Sequence, residues 1–117
     1  MPAARQNLSI EQGATFRLSL QWATNNAPMD ITGYVARMQI RSEVASSTVI
    51  HELTSENGGI IFEDAATGKI QLYISSNNTA GFNFKRGVYD LELEAPSGDV
   101  IRLIEGSVTL SLEVTRG

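Results

Sequence analysis

The chain has 117 residues, with 42% hydrophobic and 19% charged side chains, which is enough for one folded domain and too apolar for a disordered one. A net charge of −4, with nine Lys and Arg scattered along the chain, disfavours nucleic acid as a partner. The absence of cysteine excludes disulfides and thiolate metal sites, and no apolar run approaches the roughly 18 residues that cross a bilayer.

The lead from Met1 to Gln6 is polar and lacks the apolar core of a secretory signal, so the chain is expected to act without general secretory export. Asn7 to Glu11 alternates as a brief strand, and Gln12-Gly13-Ala14 turns it. Thr15 to Trp22 alternates over a full strand, with Phe16, Leu18, Leu20 and Trp22 on one face and Arg17, Ser19 and Gln21 on the other. Trp22 shares the apolar parity and reads as core or core rim. Ala23 to Asp30, with Asn25, Asn26 and Pro28, has loop chemistry and is expected to hold no regular element. Tyr34 to Ser42 reads as a strand with Ala36, Met38 and Ile40 inward and Arg37, Gln39 and Arg41 outward.

Glu43 to Thr48 is small and polar, a loop or a protruding hairpin tip, followed by short strands at Val49 to Leu53 and Ile60 to Phe62 around a break at Glu56 to Gly59. Asp64 to Gly68 turns the chain into a strand from Lys69 to Ile74. Ser76 to Phe82 reads as one helical turn capped by Ser76 or Asn77, with Phe82 and Phe84 pinning it to a sheet edge.

The strongest signal is Val88 to Ala95: Tyr89, Leu91, Leu93 and Ala95 alternate with Asp90, Glu92 and Glu94, the pattern of a strand with one buried and one wet face. Pro96-Ser97-Gly98 closes a three-residue hairpin loop, a type I turn with Gly98 left-handed. That turn sets Leu91 opposite Leu103, Leu93 opposite Ile101 and Glu92 opposite Arg102. A bulge is expected at Glu105-Gly106, so that Val108, Leu110, Leu112 and Val114 resume the apolar face. Eight or nine short strands with turn signals every ten residues or so predict an all-β sandwich or barrel, one domain over residues 1–117.

The residues offer little chemistry. His51 is the only histidine, so a triad, an imidazole metal site or a His base would have to use it; among Val49, Ile50 and Leu53 it reads as a partly exposed strand residue. Asp90, Glu92 and Glu94 stand roughly 7 Å apart along one strand face, within the spacing of a glycosidase pair, but few aromatic residues are present to build a sugar platform. A solvated acidic face is the plainer reading. Glu63 and Asp64 lack the alternating acidic pattern of a calcium loop, and Gly13, Gly58 and Gly59 are turn glycines without a phosphate-loop context. No enzyme, cofactor or metal is expected. Arg37, Gln39 and Arg41, with Arg17 beside them, form a basic strip that reads as a wet sheet face or as a docking face for an acidic neighbour or a second copy.

Three stretches carry a family likeness: Leu-Ser-Ile-Glu-Gln-Gly-Ala-Thr-Phe (Leu8 to Phe16), Asp-Ile-Thr-Gly-Tyr-Val-Ala-Arg-Met-Gln-Ile-Arg (Asp30 to Arg41), and Tyr89-Asp90-Leu91-Glu92-Leu93 running on to Gly106-Ser107-Val108, with Ser111 to Arg116 as the ending. Together they resemble small structural proteins of tailed bacteriophages and prophages, including the N-terminal domain of baseplate upper proteins. The resemblance implies a single immunoglobulin-like antiparallel sandwich. It implies a non-enzymatic adaptor or attachment module of the tail, baseplate or neck, located in the virion and assembled in the host cytoplasm. Its partners would be other virion proteins in a symmetric, many-copy assembly, with no nucleic acid and no membrane. Short edges at Asn7 to Glu11 or Val108 to Val114 would be available to add to a neighbour's sheet. A capsid decoration protein and a small carbohydrate-binding module, the latter needing Trp22 or Tyr73 exposed as a platform, are the competing readings.

Overall fold

The computed structural model describes residues 3–115, so Met1 and Pro2 of the lead and Arg116 of the closing motif lie outside the described residues. The chain forms β1 (Ala4–Arg5), β2 (Leu8–Glu11), β3 (Phe16–Gln21), β4 (Ala23–Thr24), β5 (Ala27–Pro28), β6 (Val35–Arg41), β7 (His51–Thr54), β8 (Ile60–Asp64), β9 (Lys69–Ile74), α1 (Ser76–Ala80), β10 (Arg86–Glu94) and β11 (Val100–Ser111). A 3-10 turn at Ala65–Thr67 precedes β9. Eight of the strands have four or more residues.

Two sheets face one another. One runs β1-β11-β10-β6-β7, with β2 also on β11; the other runs β3-β9-β8. The chain crosses between them from β2 to β3, from β3 to β6 by way of the small β4–β5 hairpin, from β7 to β8 and from β9 to β10, the Greek-key order of an immunoglobulin-like sandwich. The period-two alternation does the rest. Met38, Ile40, Leu53, Leu91, Leu93 and Val108 from the larger sheet and Ile60, Ile70, Leu72 and Ile74 from the smaller form one buried cluster, rimmed by Phe16, Leu18, Leu20 and Trp22.

The closing hairpin forms as the turn chemistry dictates: Gly98 has φ 95°, its N–H donates to the Ala95 carbonyl at 2.8 Å, and Ala95 N–H donates to Asp99 O at 2.8 Å. Leu93 pairs with Ile101 and Glu92 with Arg102, but Leu91 pairs with Ile104, not Leu103. The bulge therefore falls at Leu103, ahead of the expected Glu105-Gly106, because Ile104 is the first residue whose side chain regains the core.

Other expectations need correction. Asn25 and Asn26, at φ 53° and 66°, make the two-residue turn of a small hairpin inside the stretch expected to be loop. Ser75, one residue before the expected caps, accepts the N–H of Asn78 and starts a helix that ends at Ala80. Strand β11 ends at Ser111, so Leu112 and Val114 are 64% and 90% exposed instead of facing the core. The edge at Val108 to Ser111 is already covered, in parallel, by β2.

The Gln12 side chain explains one motif residue. Its amide nitrogen donates to the Phe82 carbonyl at 2.8 Å and its oxygen accepts Glu113 N–H at 2.9 Å, tying the first turn to the helix exit and the end of β11.

Candidate interaction face

Alternation in β6, β10 and β11 buries one side of the larger sheet and leaves the other side polar. Cross-strand pairing arranges that outer side in rows. One row holds Glu52, Gln39, Asp90, Glu105 and Arg5, three carboxylates against one guanidinium. The row toward the closing hairpin holds Arg37, Glu92 and Arg102, and the row on the other side holds Arg41 and Val88. The rows line a shallow depression of about 620 Å³.

The charges are largely paired across strands. Arg37 Nε meets Glu92 at 3.0 Å, Arg5 meets Glu105 at 3.2 Å, and Arg102 bridges Asp90 at 3.5 Å and Glu105 at 3.2 Å. Arg41 differs. Its guanidinium donates to Gln39 Oε1 and to the Ser46 carbonyl, each at 2.7 Å, and the second bond folds the loop after β6 back so that Val44, 86% exposed, stands at the rim. The Gln39 amide nitrogen donates to Glu52 at 2.8 Å, so one amide holds a cation at one end and an anion at the other.

Burial pushes the Asp90 carboxyl above its ordinary range, reinforced by Glu92 and Glu105 and opposed by Arg102 and Arg41. A carboxyl raised in this way binds its proton more tightly folded than unfolded. It therefore opposes folding at neutral pH, and the opposition is relieved as pH falls through the raised value. Asp90→Asn is expected to raise the denaturation midpoint at pH 7, and the gain is expected to vanish at about pH 3, below the ordinary carboxylate value of 3.8. Equal midpoints at both pH values would contradict this assignment.

Of the residues singled out in sequence, Arg37, Gln39 and Arg41 come together here and Arg17 does not. Arg17 lies on β3 of the opposite sheet, its guanidinium 4.5 Å over the Tyr73 ring and bonded to Gln71 at 2.8 Å. That cover leaves Tyr73 no open platform, and Trp22 packs edge-on against Tyr34 at 6.3 Å. Neither forms the flat exposed aromatic that a sugar-binding site requires. The carboxylates that sequence reasoning treated as a solvated face, with Arg5 and Glu52, complete the depression. Only the strand pairing brings them beside the arginines.

His51 is on the other side of the same sheet, paired with the inward Ile40, its ring 5.4 Å from Phe82 and its pKa lowered by burial. It is separated by the sheet from Asp90 and Glu92. Among the described residues, no group of three or more His, Asp or Glu side chains is arranged to hold a metal ion.

Neither protein-family models nor curated proteins give a match to this sequence. Among solved structures, CopC from Methylosinus trichosporium OB3b is similar over 99% of this chain and 92% of that one, with a TM-score of 0.50 and 9% identity. At that identity the likeness is one of fold: an all-β sandwich.

Proposed function

We propose that this chain is a non-enzymatic structural component of a tailed-phage virion, an adaptor or attachment module of the tail, baseplate or neck that works through protein–protein contacts on the outer face of its larger sheet. The observation that carries the reading is the depression itself. It is broad and shallow, lined by cross-paired Arg and carboxylate side chains with a projecting valine at its rim, and contains neither an aromatic platform nor a histidine. Such a surface suits recognition of another protein's charged exterior better than capture of a small substrate. The sequence likeness of Leu8 to Phe16, Asp30 to Arg41 and the closing hairpin supplies the virion context.

The test uses purified particles. The chain is expected at fixed stoichiometry in mature virions by mass spectrometry, and a photo-crosslinking residue at Val44 is expected to join it to a virion protein. Absence from mature particles would overturn the proposal. Separation of heads from tails then distinguishes a tail part from a capsid decoration protein.

A further inference from the structure

Arg41 and Glu52 are the two charges of the depression with no salt-bridge partner among the described residues; both are held by Gln39 instead. They sit on adjacent strands, one row apart, which places their backbones about 8 Å from one another. Resting on the reading of this surface as a docking face, we propose that its occupant is a second copy of the same chain, related by a two-fold axis, with Arg41 of each copy paired to Glu52 of the other. An axis passing between the two residues forms both pairs at once, as an isologous contact requires.

Charge favours this partner. The depression is lined by four guanidiniums (Arg5, Arg37, Arg41 and Arg102) and four carboxylates (Glu52, Asp90, Glu92 and Glu105), so the net charge of −4 lies entirely on the rest of the molecule. Two copies repel through their other surfaces and do not repel here. Size is adequate as well: the five strands hold 34 residues, each covering about 3.3 Å by 4.8 Å, roughly 540 Å² of face per copy, so two copies together reach the about 1,000 Å² that a specific interface needs. Val88, paired with Arg41, and the rim residue Val44 supply apolar contact that excludes water from the new ion pairs.

Sedimentation analysis of the wild type, Arg41→Glu, Glu52→Arg, the double swap and an equimolar mixture of the two single variants tests the proposal. The wild type is expected to dimerise, more weakly as salt rises, and each single reversal to weaken dimerisation at least about tenfold. The mixture is expected to recover it, because the reversed side chains then face opposite charges at both pairs, and the double swap is expected to recover it for the same reason. Circular dichroism of each single variant separates lost pairing from lost fold. A wild type that stays monomeric, or a folded pair of variants that fails to associate on mixing, overturns the two-fold pairing. Cross-links from Val44 to a different virion protein in such a case would still support the docking face, so the two readings fail separately.

Discussion

Leu91→Ala is expected to destabilise the domain by about 3 kcal/mol, the cost of deleting buried methyl groups where the surroundings close only partly. Leu91 is 0% exposed at the centre of β10, with Met38 on one side and Ile104 on the other. β10 is the middle strand of the larger sheet, so both neighbours are fixed by backbone ladders and neither can move in to fill the void. For a domain whose total stability is about 5–15 kcal/mol, this is a large share, and the melting temperature is expected to fall by roughly 10 °C or more. Urea denaturation followed by fluorescence of Trp22, the single tryptophan, reads the change, because that ring is half-buried against the core and edge-on to Tyr34. A loss below about 1 kcal/mol would mean that the residue does not lie between two packed sheets. The outer face gives a second readout. Asp90 and Glu92 flank Leu91 on the same strand, so the folded fraction of this variant should retain its salt bridges to Arg102 and Arg37 and lose stability without losing the surface pattern.

The strand that buries Leu91 was legible because its alternation is strict, and the hairpin because Pro96-Ser97-Gly98 permits few turns. The bulge was not. Val100, Ile101, Leu103 and Ile104 put apolar residues on both parities, so the switch can be drawn at several points, and Gly106 attracts it. In the structure that glycine answers to a different constraint, the close passage of Gln6. Leu112 and Val114 keep the apolar parity of β11 beyond the end of its ladder, a limit set by the partner strands and not by the residues themselves. The Asn25-Asn26 turn joins strands of two residues each, too short to show any period. For the outer face, alternation told which side chains of each strand point outward. It does not assign strands to sheets, which is why Arg17 reads alongside Arg37 and Arg41 in the sequence although β3 belongs to the other layer. Glu52 and Arg5 join the face through pairings to β6 and β11 that span 13 and 100 residues of sequence, beyond the reach of a local pattern.

Gly106→Ala is expected to cost about 2–3 kcal/mol by a different route, overpacking against backbone that cannot rotate away. A β-carbon at this position would run into the Gln6 carbonyl and the Asn7 side-chain oxygen. Those atoms hold the N-terminal crossing in place: Gln6 N–H donates to Glu105 O at 3.0 Å, Asn7 Oδ1 accepts Ser107 N–H at 3.1 Å, and the Tyr89 hydroxyl, with its pKa pushed up to about 12 by burial, donates to the Gln6 carbonyl at 2.6 Å. Displacing Gln6 and Asn7 breaks all three and lifts β1 from its parallel pairing with β11. Tyr89→Phe is the control. It removes one donor, leaves β1 seated, and is expected to cost only about 1 kcal/mol. Amide exchange separates the two: the Gln6 N–H should lose protection in the alanine variant and keep it in the phenylalanine variant. The consequence reaches the docking face. Arg5 rides on β1, so its departure leaves Arg102 alone to balance Asp90 and Glu105, and the acid-rich row becomes more negative. Self-association through Arg41 and Glu52 should then weaken even though neither residue has changed. An alanine variant as stable as the wild type, with Gln6 still protected, would show that the N-terminal strand does not pass this close to β11.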